Sequence, residues 1–441
     1  MKLRTAFLLA TAITALIGGA LWLKAEFDVT GELQLWSRAI QDYWIHTRTD
    51  DYAATLEDVD QAIEAARADP ILSALPRGPT RGPLRRPPDG GPCFLDRDGN
   101  PVLLAGSHTW SNLVDNGHGY PPPAFDYARY LDFLEAHGHN FTRLWAWESP
   151  RWSVQTLDDD YWFDPMPYAR TGPGNALDGK PRFDLTRFNE EYFDRLESRV
   201  EAARERGIYV AVMLFNGWSV TSSQPGVKGR NPWKAHPYNA ANNVNGIQGD
   251  ENGDEDGQEL HELGNREAIR AQVRYVRKVV DTLAELDNVL YEVSNESHFE
   301  SLAWQRHIAQ ALRRREEYHG VHHPVGITAT FPRNADKRLL ASGADWIAPK
   351  DPDGLERSEQ DPIVIADSDH VFGIGGNASW VRRVIDKGCS VAFMDGYRGA
   401  AYGAGGAGFE FEARRWMRLR SQIGYARSTK LAQAVAPQGN L

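Results

Sequence analysis

From Cys93 onward the chain repeats one pattern: a short apolar or β-branched run, then a longer stretch whose apolar positions recur every three or four residues. The short runs predict strands over Pro101–Trp110, Asn140–Glu148, Gly207–Trp218, Asn288–Glu296, His323–Thr330, Ala344–Pro349, Pro362–Asp369 and Cys389–Tyr397. Between them, Phe193, Leu196, Val200 and Ala203, or Ile269, Val273, Val276 and Val280, mark one face of a helix. Eight strands alternating with helices predict an α/β fold, a (β/α)8 barrel with long βα loops, rather than a doubly wound sheet. A small hairpin at Cys93–Asn100, turning at Asp98-Gly99, precedes the barrel.

The first 90 residues follow other rules. Met-Lys-Leu-Arg leads into an apolar run from Ala6 to Leu23, close to the ~18 residues at which a spanning helix becomes feasible. Residues 1–24 read first as an uncleaved membrane anchor, with a cleaved signal peptide as the alternative because Gly18–Ala20 offers small residues at a cut. Either reading places the rest of the chain in the cell envelope, facing the periplasm or exterior, or secreted. Residues 25–75 have helical spacing at Leu33, Trp36, Ile40 and Tyr43, and the Pro/Gly/Arg-rich stretch from Pro76 to Gly91 reads as a tether. The expected division is thus 1–24, 25–90 and a barrel over 91–441.

Composition narrows the function. Of 441 residues, 49 are Lys or Arg and 60 Asp or Glu, a formal net charge of −11, which argues against a nucleic-acid partner. Two cysteines exclude a disulfide scaffold or thiolate zinc site; Cys93 and Cys389, at neighbouring barrel ends, are equally consistent with one bridge or two buried thiols. The aromatic load, with 14 Trp, is the unusual feature.

Barrel chemistry is built at the C-terminal ends of strands. There the chain carries His108 and Trp110, then Arg143, Trp145, Trp147 and Glu148, then Asn216 and Trp218, then Asn295, Glu296 and His298, then Asp367, Asp369 and His370, and finally Asp395 and Tyr397. Indole faces beside carboxylates and amides suit a sugar, which has an apolar face and a fringe of hydroxyls. Paired carboxylates are what cleavage of a glycosidic bond requires.

Asn288-Val-Leu-Tyr-Glu-Val-Ser-Asn-Glu296 resembles the fourth-strand signature of the clan A glycoside hydrolases. Gly138-His-Asn-Phe-Thr-Arg-Leu-Trp resembles that clan's second strand, and Pro362-Ile-Val-Ile-Ala-Asp367 stands where its seventh-strand nucleophile lies. Together with Ala366-Asp-Ser-Asp-His-Val-Phe-Gly-Ile-Gly-Gly376 and Met394-Asp-Gly-Tyr397, the chain is similar to a group of bacterial glycoside hydrolases known mainly from genomes. The resemblance implies Glu296 as acid/base, Asp367 as nucleophile or base, Asn295 on a ring hydroxyl, and a poly- or oligosaccharide substrate cleaved with retention. The clan has Glu where this chain has Asp367, so inversion through Asp369, expected on the same strand face, stays open, as does a carbohydrate-binding barrel without catalysis. Arg143 is the candidate cation beside Asp367, held by Glu292 or contacting substrate; His108, Trp110, Trp145, Trp147, Asn216, Trp218, His298, His370, Asp395 and Tyr397 complete the candidate subsites.

No catalytic metal is expected, since the first strand ends Ser107-His108-Thr109-Trp110 without a His-x-His pair and no His-Glu-x-x-His occurs. The acidic loop Asp250–Gly257 has some EF-hand spacing, but Leu263 stands at position twelve from Asn252, so a solvated loop is favoured over structural calcium. No cofactor is implied.

Overall fold

The computed structural model describes residues 56–152, 161–221, 231–373 and 378–394, with 423, 424, 426, 427 and 430. Eight parallel strands form one sheet: β1 (Ala105–His108), β2 (Phe141–Leu144), β3 (Tyr209–Asn216), β4 (Val289–Asn295), β5 (Val325–Thr328), β6 (Trp346–Ala348), β7 (Ile363–Asp367) and β8 (Ser390–Met394). Each lies inside one of the eight runs expected from the sequence, shorter at both ends. Hydrogen-bonded neighbours run β1-β8-β7-β6-β5-β4-β3-β2. The ring is completed where the Asn140 N–H donates to the Ala105 carbonyl at 3.0 Å. Gly106 makes that seam: a Cβ there would stand 1.7 Å from the Phe141 carbonyl oxygen.

The barrel interior is layered. Phe141, Tyr209, Leu290, Trp346, Ile363 and Ile365 form an apolar cluster with Leu104 and Ala392. Gly326 leaves room for the Trp346 indole, whose Cε2 lies 2.0 Å from where a Cβ would sit. Two residues further along β2, β4 and β7, on the same face, stand Arg143, Glu292 and Asp367. The charged layer thus follows directly on the apolar one.

The Pro/Gly-rich stretch is not a free tether. Leu84 (1% exposed) and Phe94 belong to the apolar cluster at the barrel floor. Arg85 bridges Leu95, and the Arg86 guanidinium donates to the carbonyls of Gln360 and Asp361 at 2.9 and 3.0 Å. Composition excluded regular structure there, but it did not exclude packing. Helix α1 (Leu56–Ala68) buries Val59, Ile63 and Ala66 and packs on α2 (Tyr127–Ala136). Residues 1–55, including the expected anchor and most of the helical stretch after it, lie outside the described residues. Among the described residues no helix is long and apolar enough to cross a membrane.

Helices α3 (Glu190–Glu205), α4 (Arg266–Leu283) and α5 (Leu302–His319) cover the barrel's outer face. The Asn265 side chain caps α4, accepting from the Ala268 N–H at 3.0 Å, and Gly320 ends α5 at φ +70°. An antiparallel ribbon, Asp115–His118 with Tyr161–Asp164, joins the first βα loop to the long second one, which folds on itself in a further ribbon, Tyr168–Asn175 with Pro181–Phe188. The second and third loops are joined where the Val244 N–H donates to the Phe183 carbonyl at 2.9 Å. Cys93 and Cys389 are present as thiols, and burial pushes the pKa of both up.

Candidate active site

Arg143 organises the C-terminal end of the barrel. Its Nε and Nη2 donate to the two carboxylate oxygens of Glu292 at 2.8 and 2.6 Å, and Nη2 also donates to Asn295 Oδ1 at 3.0 Å. Nη1 donates to Asp367 Oδ2. All these groups are buried, so the guanidinium is held by protein partners and braces two carboxylates instead of reaching toward a ligand.

Asp367 is 0% exposed and both of its oxygens are engaged. Oδ1 accepts from His108 Nε2 at 3.1 Å and from the Asp369 backbone N–H at 2.8 Å. Burial by itself would raise the pKa of this carboxyl. Arg143, His108 and His370 outweigh that and hold it well below the usual carboxylate range. Asp369 does not share the strand face of Asp367: β7 ends at Asp367, Ser368 takes helical dihedrals, and Asp369 opens a short helix to Phe372. The turn brings its backbone N–H, two residues on, back onto Asp367.

Glu296 follows β4 and has φ +45°, a left-handed conformation that non-glycine residues adopt infrequently. Its Oε2 accepts from Trp218 Nε1 at 2.7 Å, and it is 5% exposed. Trp218 stacks on Phe331, ring centres 5.3 Å apart. Asn216, a candidate for substrate, instead shapes this turn: Oδ1 accepts the Trp218 N–H at 3.1 Å and Nδ2 donates to the Ala146 carbonyl at 3.2 Å. Between the two carboxylates lies His370, whose Nε2 meets Asn295 Oδ1 at 3.2 Å. Burial pushes this imidazole down, against the pull of Asp367 and Glu296.

The aromatic candidates also converge. Trp145 stacks on His108 at 5.6 Å and carries the Arg143 guanidinium 5.0 Å from its ring centre. Trp110 contacts Trp145 and Trp147 at 6.2 and 5.9 Å. Asn295 Nδ2, Trp145 Nε1, His108 Nδ1 and His370 Nδ1 are among the buried polar atoms at this end of the barrel with no hydrogen-bond partner among the described residues. The first two donate. With Nε2 of each imidazole carrying its hydrogen, the last two accept. His298 lies at the edge, paired with Glu262 at 3.0 Å. Asp395 and Tyr397 lie outside the described residues.

One feature escaped the sequence reading. Glu148, named only as a strand-end residue, accepts the Asn216 backbone N–H at 2.6 Å and faces His236 Nε2 and His261 Nε2, each at 3.5 Å. Nothing in the spacing of these residues signals that they meet. No grouping of His, Cys, Asp or Glu suited to a metal ion occurs among the described residues. In the acidic loop, Asp250 accepts backbone N–H groups of Gly253 and Glu255 at 2.7 and 3.0 Å.

Comparison with known proteins agrees with the architecture. Residues 148–332 match a domain of unknown function, DUF6298. No curated protein matches the chain. A candidate glycoside hydrolase from Bacteroides vulgatus superposes with a TM-score of 0.50 at 15% identity, over 77% of this chain and 60% of that one. The fold is a TIM barrel. This chain therefore spans 60% of the length of that neighbour. Two more neighbours are an endo-β-1,4-mannanase from Thermotoga petrophila (TM-score 0.48, 12% identity, 76% and 78% coverage) and a family 5 mannosidase from Rhizomucor miehei (0.47, 13%, 79% and 99%).

Proposed function

We propose that this chain is a glycoside hydrolase that cleaves a poly- or oligosaccharide with two carboxylates. The observation that carries the reading is the unlike setting of those groups. Asp367 is kept ionised by Arg143 and its imidazole neighbours, whereas Glu296, next to Asn295 in the chain, stands against the Trp218 indole. In this reading Glu296 protonates the departing glycosidic oxygen. Asp367 attacks the anomeric carbon, and water, deprotonated by Glu296, then releases the sugar with retention. The two donors and two acceptors left over on Asn295, Trp145, His108 and His370 complement hydroxyl groups, each of which both gives and takes a hydrogen bond.

A second reading is favoured by the occupation of both Asp367 oxygens. Asp369, 7% exposed, then serves as the base that activates water, and the anomeric centre inverts. The envelope location expected from residues 1–24 belongs to the same proposal, with trimming of an envelope or exported polysaccharide as its setting.

The test is a polysaccharide panel with product identification by mass and of anomeric configuration by NMR. Glu296→Gln is expected to lower cleavage by about 10²–10⁴-fold with the fold intact, and an unchanged rate would remove Glu296 from the mechanism. Restoration of Asp367→Ala activity by azide, giving a glycosyl azide of inverted configuration, supports retention; restoration of Asp369→Ala alone supports the second reading. Binding without product at any pH would leave a carbohydrate-binding barrel.

A further inference from the structure

We propose that Glu148 is a positioning residue that sets the geometry of Glu296 through two separate arms; this rests on the reading of Glu296 as the acid/base. The first arm runs through β3. Glu148 Oε1 accepts the Asn216 N–H at 2.6 Å, Asn216 Oδ1 accepts the Trp218 N–H at 3.1 Å, and Trp218 Nε1 donates to Glu296 Oε2 at 2.7 Å. The second arm reaches the backbone on either side of Glu296. His261 Nε2 faces Glu148 Oε1 at 3.5 Å, its Nδ1 meets Ser297 Oγ at 2.9 Å, and Ser297 Oγ meets Ser294 Oγ at 2.5 Å. With its hydrogen on Nε2, which lies in contact with Glu148 but makes no hydrogen bond among the described residues, His261 accepts at Nδ1 from Ser297, which accepts from Ser294.

Four observations make this a constraint and not a chance cluster. Glu296 lies between those serines at φ +45°, a backbone state that persists only where its surroundings enforce it. The turns at the ends of the two arms touch: a Cβ on Gly217 would stand 2.4 Å from the Glu296 carbonyl oxygen, so neither shifts alone. Glu148 itself is fixed from a third side. His236 Nδ1 accepts the Tyr238 N–H at 3.1 Å, so its Nε2 carries the hydrogen, and that nitrogen faces Glu148 Oε2 at 3.5 Å. His261 cannot tilt away, being stacked on Trp304 with ring centres 4.2 Å apart and planes 16° from parallel. Glu148 lies beneath the turn, and the chain's other candidate carboxylates are held by different partners.

The experiment compares purified full-length wild type, Glu148→Gln and Ser297→Ala. The substrates are matched phenyl and 2,4-dinitrophenyl β-glucosides, mannosides and galactosides, alongside amide hydrogen exchange. A dinitrophenolate leaves without a proton, so in kcat/KM, which reports the steps up to departure of the phenol and not the later attack of water, displacing the acid affects only the phenyl series. Glu148→Gln is expected to lose about 10²-fold on the phenyl glycoside and to stay within about threefold on the dinitrophenyl one. Ser297→Ala, which removes a single hydroxyl, should show the same pattern more weakly and stands in if Glu148→Gln does not fold. Equal losses on both leaving groups would overturn the proposal. If wild type cleaves none of these glycosides, the glycosidase reading loses support while exchange still decides the present point. Faster exchange at 216–218 and 294–298, with 363–367 unchanged, supports the two arms; unchanged exchange there overturns them.

Discussion

Asp367 and Glu148 are both carboxylates withdrawn from water at the same end of the barrel, and they keep their charge by different means. Asp367 sits on a fixed cation: Arg143 meets it on one side and Glu292 on the other, so one guanidinium serves two acids. Among the described residues Glu148 has no cation of this kind. It accepts a backbone N–H and faces two imidazoles at 3.5 Å, and burial opposes these partners, yet its pKa is brought down to about 2. His236 is itself pushed down by burial and stays neutral at neutral pH. The difference teaches where each site is fragile. A charge held by a cation fails when the cation is removed, whereas a charge held by oriented donors fails when the donors turn or titrate.

The largest effect should come from removing the cation. Arg143→Met leaves Glu292 and Asp367 buried and facing each other, and we expect a loss of about 3–5 kcal/mol in unfolding free energy by urea titration. A loss under about 1 kcal/mol would mean that the Asp367 region is open to water after all.

Acidification should come next and act on the Glu148 region. An acid whose pKa is lowered by folding contributes stability that is full above its ordinary value of 4.5 and is lost as pH falls toward about 2. That is on the order of 3 kcal/mol. His236 works in the same direction, because folding favours its neutral form and the benefit fades below 6.5. Urea midpoints for wild type and Glu148→Gln between pH 7 and 3 should converge as the pH falls; parallel curves would show that Glu148 is not the group responsible. The smallest effect is expected at Ser294→Ala, which removes one hydroxyl from the second arm and should cost roughly 1 kcal/mol by the same titration.

Much of this architecture was legible beforehand, because strand-forming runs in a barrel are buried on both faces and read as uninterrupted apolar segments. Asn295-Glu296 and Asp367 were found as candidates because a strand's end is a position that hydropathy can locate. What was hidden is of two kinds. Pro76–Gly91 was read by its composition, which reports backbone freedom but not what Leu84 touches. The meeting of Glu148, His236 and His261 depends on how two long loops fold over one another, and no periodicity encodes that. Even the α4 stripe was turned slightly: Gln272 is buried among its apolar neighbours because it accepts from Trp304 Nε1 at 2.9 Å, while Ile269 and Val273 are only half-buried.

The pairing of β1 with β8 sets an order of events during synthesis. β1 is the first barrel strand to be made, yet one of its edges pairs with β8, which is completed only at Met394. The floor segment likewise awaits Glu359, whose carbonyl accepts the Gly91 N–H at 2.9 Å. A nascent chain therefore holds its earliest strand open-edged until nearly all the barrel has left the ribosome, and that strand's shortness, four residues, keeps the exposed edge small.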